Sequence, residues 1–221
     1  MSYCGLSVNG VNPVAKAISA GAVVHSVTVD STGNMRNQKT YTLTEGEDKI
    51  DLSNKDLGPA DINLICAWLA TDAGAALTSI NCLANQFGDD DLATLLTAIE
   101  GTSVRSLCGL TEGQTTADFS GQHLRPIDCK IMAAEYGFQG FIAAVARLSL
   151  KGNFPCDRIS RDGDGAAPWL PGKNFSSWIT LCESFEKSKT LTEIDVSECY
   201  LGPQALAQLA DLIKDKAVLK K

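Results

Sequence analysis

Leu191-Thr-Glu-Ile-Asp-Val-Ser-Glu-Cys-Tyr-Leu-Gly202 decides how this chain folds. Its pattern is L-x-x-I-x-V-x-x-C-x-L-G, a short β-strand that turns through a polar Cys position. A helical run, Pro203 to Lys214, comes directly after it. A strand–turn–helix segment of this kind has an apolar edge that it cannot bury alone. Copies of it are therefore expected on either side.

The copies are present. Ile50 and Leu52 alternate as inward strand positions, Leu57-Gly58 closes a turn, and Pro59 starts a helix with Ile62, Ile65, Cys66 and Leu69 on one face. Leu77-x-x-Ile80-x-Cys82-x-x-Asn85-x-Phe87-Gly88 begins the next unit, followed by a helix carrying Leu92, Leu95, Leu96 and Ile99. Asn85 stands where an amide side chain bonds backbone groups across the turn. Val104-x-x-Leu107 starts another strand, interrupted at Cys108-Gly-Leu-Thr-Glu-Gly-Gln. Ala117-x-Phe119 with Gln122 and Leu124 resumes the pattern, and Val145-x-x-Leu148-x-Leu150-x-x-Asn153 repeats it. Residues 154–173, rich in Gly, Pro and Asp, break the period as an insertion. Residues 1–46 are less regular. Val11 to Ala22 predicts a short helix, Val24-x-x-Val27-x-Val29 has the spacing of a degenerate first unit, and Ser31 to Lys39 is a polar loop.

Equivalent strand positions fall at Ile50, Ile80, Leu107, Ala117, Leu148 and Ile194, at intervals of 30, 27, 10, 31 and 46 residues. A second symmetry is superimposed. Leu43-Thr-Glu-Gly, Asp51-x-Ser53 and Leu57-x-Pro59-x-Asp61 recur 67 residues later as Leu110-Thr-Glu-Gly, Asp118-x-Ser120 and Leu124-x-Pro126-x-Asp128. That many matches in register imply duplication of a two-unit block.

These residues resemble the leucine-rich repeat family, ribonuclease-inhibitor-like type. More narrowly, Ser106-Leu-Cys-Gly-Leu and Gln114-Thr-Thr-Ala-Asp-Phe-Ser look like repeat proteins of unicellular algae and protists. Lys55 and Gln122 depart from that pattern, which has Asn or Cys at their position. The resemblance implies an α/β fold, a short curved solenoid with parallel strands on the concave face and helices on the convex face. It divides the chain into a capping segment, 1–46, and a repeat domain, 47–221. It also implies a non-enzymatic protein-protein interaction module or scaffold subunit. A regulator of an enzyme, such as a GTPase-activating protein of the same repeat class, is the alternative, with Arg36 as its candidate group.

Composition agrees with a globular chain: 44% of the 221 residues are apolar and 20% charged. A net charge of −7 argues against nucleic-acid binding and favours a basic partner segment or a larger complex. No apolar stretch reaches the ~18 residues that a membrane span needs. The chain is read as soluble. Eight cysteines without a C-x-x-C pair, and only two histidines, fit buried free thiols in the cytoplasm or another reducing compartment better than zinc or disulfides. Asp157, Asp162 and Asp164 lack the spacing of a calcium loop. No catalytic constellation and no cofactor motif is found.

Residues flanking the inward strand positions point to solvent. The residue directly after each one is Asp51, Asn81, Cys108, Asp118, Ser149 and Asp195. Partner-binding candidates are accordingly Asp51, Asn81, Asp118, Arg147, Glu193, Asp195, Glu198 and Tyr200, with Tyr200 as the anchor. Trp169 in the insertion is a further candidate.

Overall fold

In the computed structural model, residues 8–159, 170–171 and 175–215 are described. They form a mixed α/β structure with six α-helices and short, mostly parallel strands. The chain divides into two compact units, residues 1–109 and 110–221. The division falls inside the irregular ten-residue interval between Leu107 and Ala117.

The first unit opens with α1 (Val8–Ser19), which buries Val11, Ala15 and Ile18 on one face. Two strands follow, β1 (Ser26–Asp30) and β2 (Thr40–Thr44). The spacing of Val27 and Val29 suggests a first parallel unit, but the strand forms an antiparallel hairpin with β2. Tyr41 and Leu43 provide the alternating apolar partners, so that Val27 pairs with Leu43 and Val29 with Tyr41, all four buried.

The Ser31–Lys39 connection does more than reverse the chain. Thr32 donates to the buried carboxylate of Asp61 through its backbone N–H (2.8 Å) and its hydroxyl (2.7 Å). The Tyr41 hydroxyl (2.9 Å) and the Gly58 N–H (2.8 Å) donate to the same carboxylate. Burial, and then the Asp61 charge, push the Tyr41 phenol far above its ordinary range. Backbone meets backbone beside this knot. A Cβ on Gly58 would lie 2.9 Å from Gly33 Cα, and one on Gly33 would lie 2.5 Å from Asp56 O.

Next come β3 (Lys49–Asp51), α2 (Pro59–Leu69), β4 (Ser79–Asn81) and α3 (Asp89–Ile99). The strands β3 and β4 are parallel, with Ile50 beside Ile80. The strand expected at Val104–Leu107 is reduced to single bridges, Ser79 to Ser106 and Asn81 to Cys108. At its end Gly109 takes a positive φ of 75° and packs against Asn81, which turns the chain out of the ladder.

The second unit carries β5 (Thr116–Asp118), α4 (Pro126–Gly137), β6 (Arg147–Ser149), β7 (Arg158–Ile159), β8 (Leu170–Pro171), α5 (Ser176–Ser184), β9 (Glu193–Asp195) and α6 (Pro203–Asp215). The order β5-β6-β9 is parallel, and Ala117, Leu148 and Ile194 lie side by side. The ends of the 154–173 insertion pair antiparallel through β7 and β8. Tyr136 meets Phe185 edge to face at 5.7 Å, and the indole N–H of buried Trp178 donates to Ala205 O at 2.9 Å, tying α5 to α6.

One turn design serves both units. An aspartate at the third helical position accepts the N–H of the residue preceding the helix in α2 (Asp61 to Gly58, 2.8 Å), α3 (Asp91 to Gly88, 2.9 Å) and α4 (Asp128 to Arg125, 2.7 Å). Asn85 accepts from Leu57 N (3.0 Å) and donates to Leu52 O and Cys82 O (both 2.9 Å). Asn153 repeats this with Leu124 N (2.9 Å), Phe119 O (2.7 Å) and Leu150 O (2.9 Å). The residue four past each inward strand position other than Leu107 is left-handed: Asn54, Ala84, Gly121, Gly152 and Glu198. The residue six past is left-handed as well at Asp56, His123 and Tyr200, where Lys55, Gln122 or Cys199 precedes it. Where Asn85 or Asn153 precedes it, it is not.

Candidate functional site

The site expected from the sequence is the row of side chains flanking the inward strand positions. In the second unit these are Thr116, Arg147 and Glu193 on one side of Ala117, Leu148 and Ile194, and Asp118, Ser149 and Asp195 on the other. Pleating turns them away from the core. Arg147 Nε lies 3.1 Å from Glu193 Oε2, and Lys151 Nζ lies 3.2 Å from Glu198 Oε1. All four side chains are solvated, so each pair stabilises the fold by under about 1 kcal/mol and holds its partners in place only loosely.

Asp118 and Asp195 have a second job. Asp118 Oδ1 accepts the Ser120 N–H and Asp195 Oδ1 accepts the Ser197 N–H, both at 2.9 Å, closing a turn two residues on. The serine hydroxyl first, and its N–H second, hold each carboxyl below the usual carboxylate range. Asp118 is exposed and Asp195 half-buried, so both can meet a partner as fixed negative charges. The first unit repeats the arrangement on its own strands, with Asp51 Oδ1 to Ser53 N at 3.0 Å and Asn81 Oδ1 to Leu83 N at 3.2 Å.

A row of rings borders the acidic row. His123, Phe154 and Tyr200 stand six residues past Ala117, Leu148 and Ile194. Their centroids are 6.4 Å and 6.1 Å apart and the rings are stacked, with 16° and 27° between planes. Tyr200 is 43% exposed, one of few large apolar side chains so open to solvent. Phe154 falls at the start of the insertion, and reading that stretch as a loop hides its membership. Counting from Leu148 reveals it.

The structure thus brings Asp118, Arg147, Glu193, Asp195, Glu198 and Tyr200 together in the second unit, while Asp51 and Asn81 sit on the strands of the first. Cys108, expected among the outward residues, is instead buried (2% exposed), because the ladder is already turning at Gly109. Trp169 lies outside the described residues, as do Asp162 and Asp164.

Seven cysteines are described and all are free: six buried, with Cys66 half-buried. Burial raises the Cys66 thiol to about 11 and those of Cys156 and Cys182 to about 12, and Cys129 well above its ordinary value. Neutral thiols of this kind are poor nucleophiles. Among the described residues no group of His, Cys, Asp or Glu is placed to hold a metal ion, and no helix is long and apolar enough to cross a membrane. Comparison with protein-family models and with curated proteins finds no match for this chain.

Proposed function

We propose that this chain is a non-enzymatic protein-protein interaction module of the leucine-rich repeat class, a short curved α/β solenoid that holds a basic segment of a partner on its strand face. The observation that carries this reading is the pairing, in the second unit, of fixed carboxylates at Asp118 and Asp195 with a stacked ring row ending in the exposed Tyr200. Carboxylates favour a cationic partner and select against anionic ones. A tyrosine with an apolar ring face and a polar tip is suited to anchoring an interface. Asp51 and Asn81 supply polar groups of the same kind on the first unit.

The test is affinity capture from the native cell with the intact chain and with Asp51→Lys, Asp118→Lys and Asp195→Lys combined. Loss of specific partners in the charge-reversed variant is the expected result. Recovery of the same partners in the same yield refutes the reading. A parallel Tyr200→Ala variant tests the anchor.

A further inference from the structure

In the sheet β5-β6-β9, the last strand has a neighbour on one side only among the described residues. The burial of its side chains registers the missing neighbour. Ala117, Phe119 and Leu124 in the first strand–turn segment are buried, and so are Leu148, Leu150 and Pro155 in the second. The corresponding Ile194, Val196 and Leu201 of the third are each only half-buried. Three inward positions lose cover at one step, while Leu191 and Cys199 on the same segment stay buried.

Among the described residues the backbone is open on the same side. Phe119 N donates to Ser149 O (2.9 Å), Leu150 N to Asp195 O (2.8 Å) and Gly152 N to Ser197 O (2.9 Å). Asp195 and Ser197 therefore spend their carbonyls on β6, and the alternation of a parallel ladder turns the N–H and C=O of Ile194 and Val196 outward. Such an edge is a template for another strand.

Charge decides what fits there. Within the sheet, Glu193 already has Arg147 beside it, in register and 3.1 Å away. Two copies of this chain meeting edge to edge would set the carboxylates of Glu193 and Asp195 against those of the second copy, and like charges directly opposite oppose pairing. A cationic strand meets no such penalty.

We propose that the outer edge of β9 takes up an extended segment of the partner as a further strand, alternating lysine or arginine with a β-branched or aliphatic residue, its apolar side chain beside Ile194 and its cations beside Glu193 and Asp195. This rests on the reading of a basic partner and adds where and in what backbone form that partner is held. Main-chain hydrogen bonds supply affinity and the alternation supplies specificity.

The experiment titrates the full chain with a short fluorescent peptide alternating lysine and valine, and with the same peptide N-methylated at its central valines. Binding is read by anisotropy, and amide hydrogen exchange is followed at Ile194 and Val196. The expected result is binding weakened at least about tenfold by N-methylation, with exchange at Ile194 and Val196 slowed about tenfold in the complex. Ile194→Thr, a mild change at a half-buried site, weakens binding while leaving the circular dichroism spectrum unchanged. Equal binding of the two peptides, without protection at Ile194, overturns strand addition. If that binding is still lost in Asp118→Lys/Asp195→Lys, the basic-partner reading stands without it. Binding of neither peptide overturns strand addition, and the affinity capture then decides separately on the basic partner. Self-association in sedimentation that Ile194→Thr abolishes assigns the edge to a second copy and overturns the proposal.

Discussion

Replacing Asn153 by alanine tests the turn design most directly. Asn153 is 1% exposed, and its side chain serves three backbone groups of two neighbouring turns: Leu124 N–H (2.9 Å), Phe119 O (2.7 Å) and Leu150 O (2.9 Å). The losses differ. Leu124 sits in a buried position, so its N–H is stranded at about 1–3 kcal/mol, and Phe119 O loses a partner at about 1 kcal/mol. Leu150 O keeps the Cys199 thiol (2.9 Å) and the Asn153 N–H (3.2 Å), so its loss is small. The sum is about 3 kcal/mol. Cys199 occupies the equivalent position of the next turn, but its thiol donates one weak bond, to that same well-served carbonyl, and accepts only weakly from the Gly152 and Asn153 backbone, so Cys199→Ala is expected to cost about 1 kcal/mol. At a urea slope of about 2 kcal/mol/M these figures become midpoint shifts of about 1.5 M and 0.5 M. Urea titration followed by circular dichroism measures both, and hydrogen exchange at Leu124 locates the damage. Equal shifts for the two variants, or unchanged protection at Leu124, would show that the asparagine does not hold the turn.

Two further outcomes follow from contacts outside that turn. Gly58→Ala drives a Cβ to 2.9 Å from Gly33 Cα and is expected to cost about 2 kcal/mol or more, whereas Gly46→Ala meets no atom within 4 Å and costs only the ~1 kcal/mol of a positive φ; thermal melts that rank the two the other way refute the close-contact argument. The thiols give a pH dependence: Cys156 and Cys182 ionise near 12 when folded and near 8.5 when unfolded, so their contribution is complete below about pH 8 and is lost as pH rises toward 12. Each thiol makes stability fall by about 1.4 kcal/mol per pH unit above about pH 9. Cys156→Ala/Cys182→Ala should flatten part of the fall between pH 8.5 and 10.5, and an unchanged slope would exclude these two thiols as a source of it.

Much of the strand pairing was legible in the chain because the apolar spacing has one physical cause. A residue can be buried at Ile50, Ile80, Ala117 or Leu148 only if a neighbouring strand lies beside it in register, and the observed ladders match those positions residue for residue. Asn85 was legible for a similar reason, since its amide has no use in a turn other than bonding backbone. The β1–β2 hairpin was not, because alternation at Val27 and Val29 is the same for parallel and antiparallel partners, and the deciding Tyr41 and Leu43 lie across a nine-residue connection. The ring row was half legible. His123 and Tyr200 stand out as turn residues, but Phe154 disappears into a Gly-, Pro- and Asp-rich stretch unless it is counted from Leu148.

The left-handed residues six past the strands bear on how this protein can be engineered. Asp56, His123 and Tyr200 take a backbone conformation in which glycine would be easier by about 1 kcal/mol each. A stabilisation programme that scores local backbone preference would therefore replace all three, along with Ala84 and Glu198. It would gain thermal tolerance and erase two of the three rings of the stacked row at once. Robustness and recognition draw on the same positions, so ranking variants by melting temperature alone selects against the proposed binding surface.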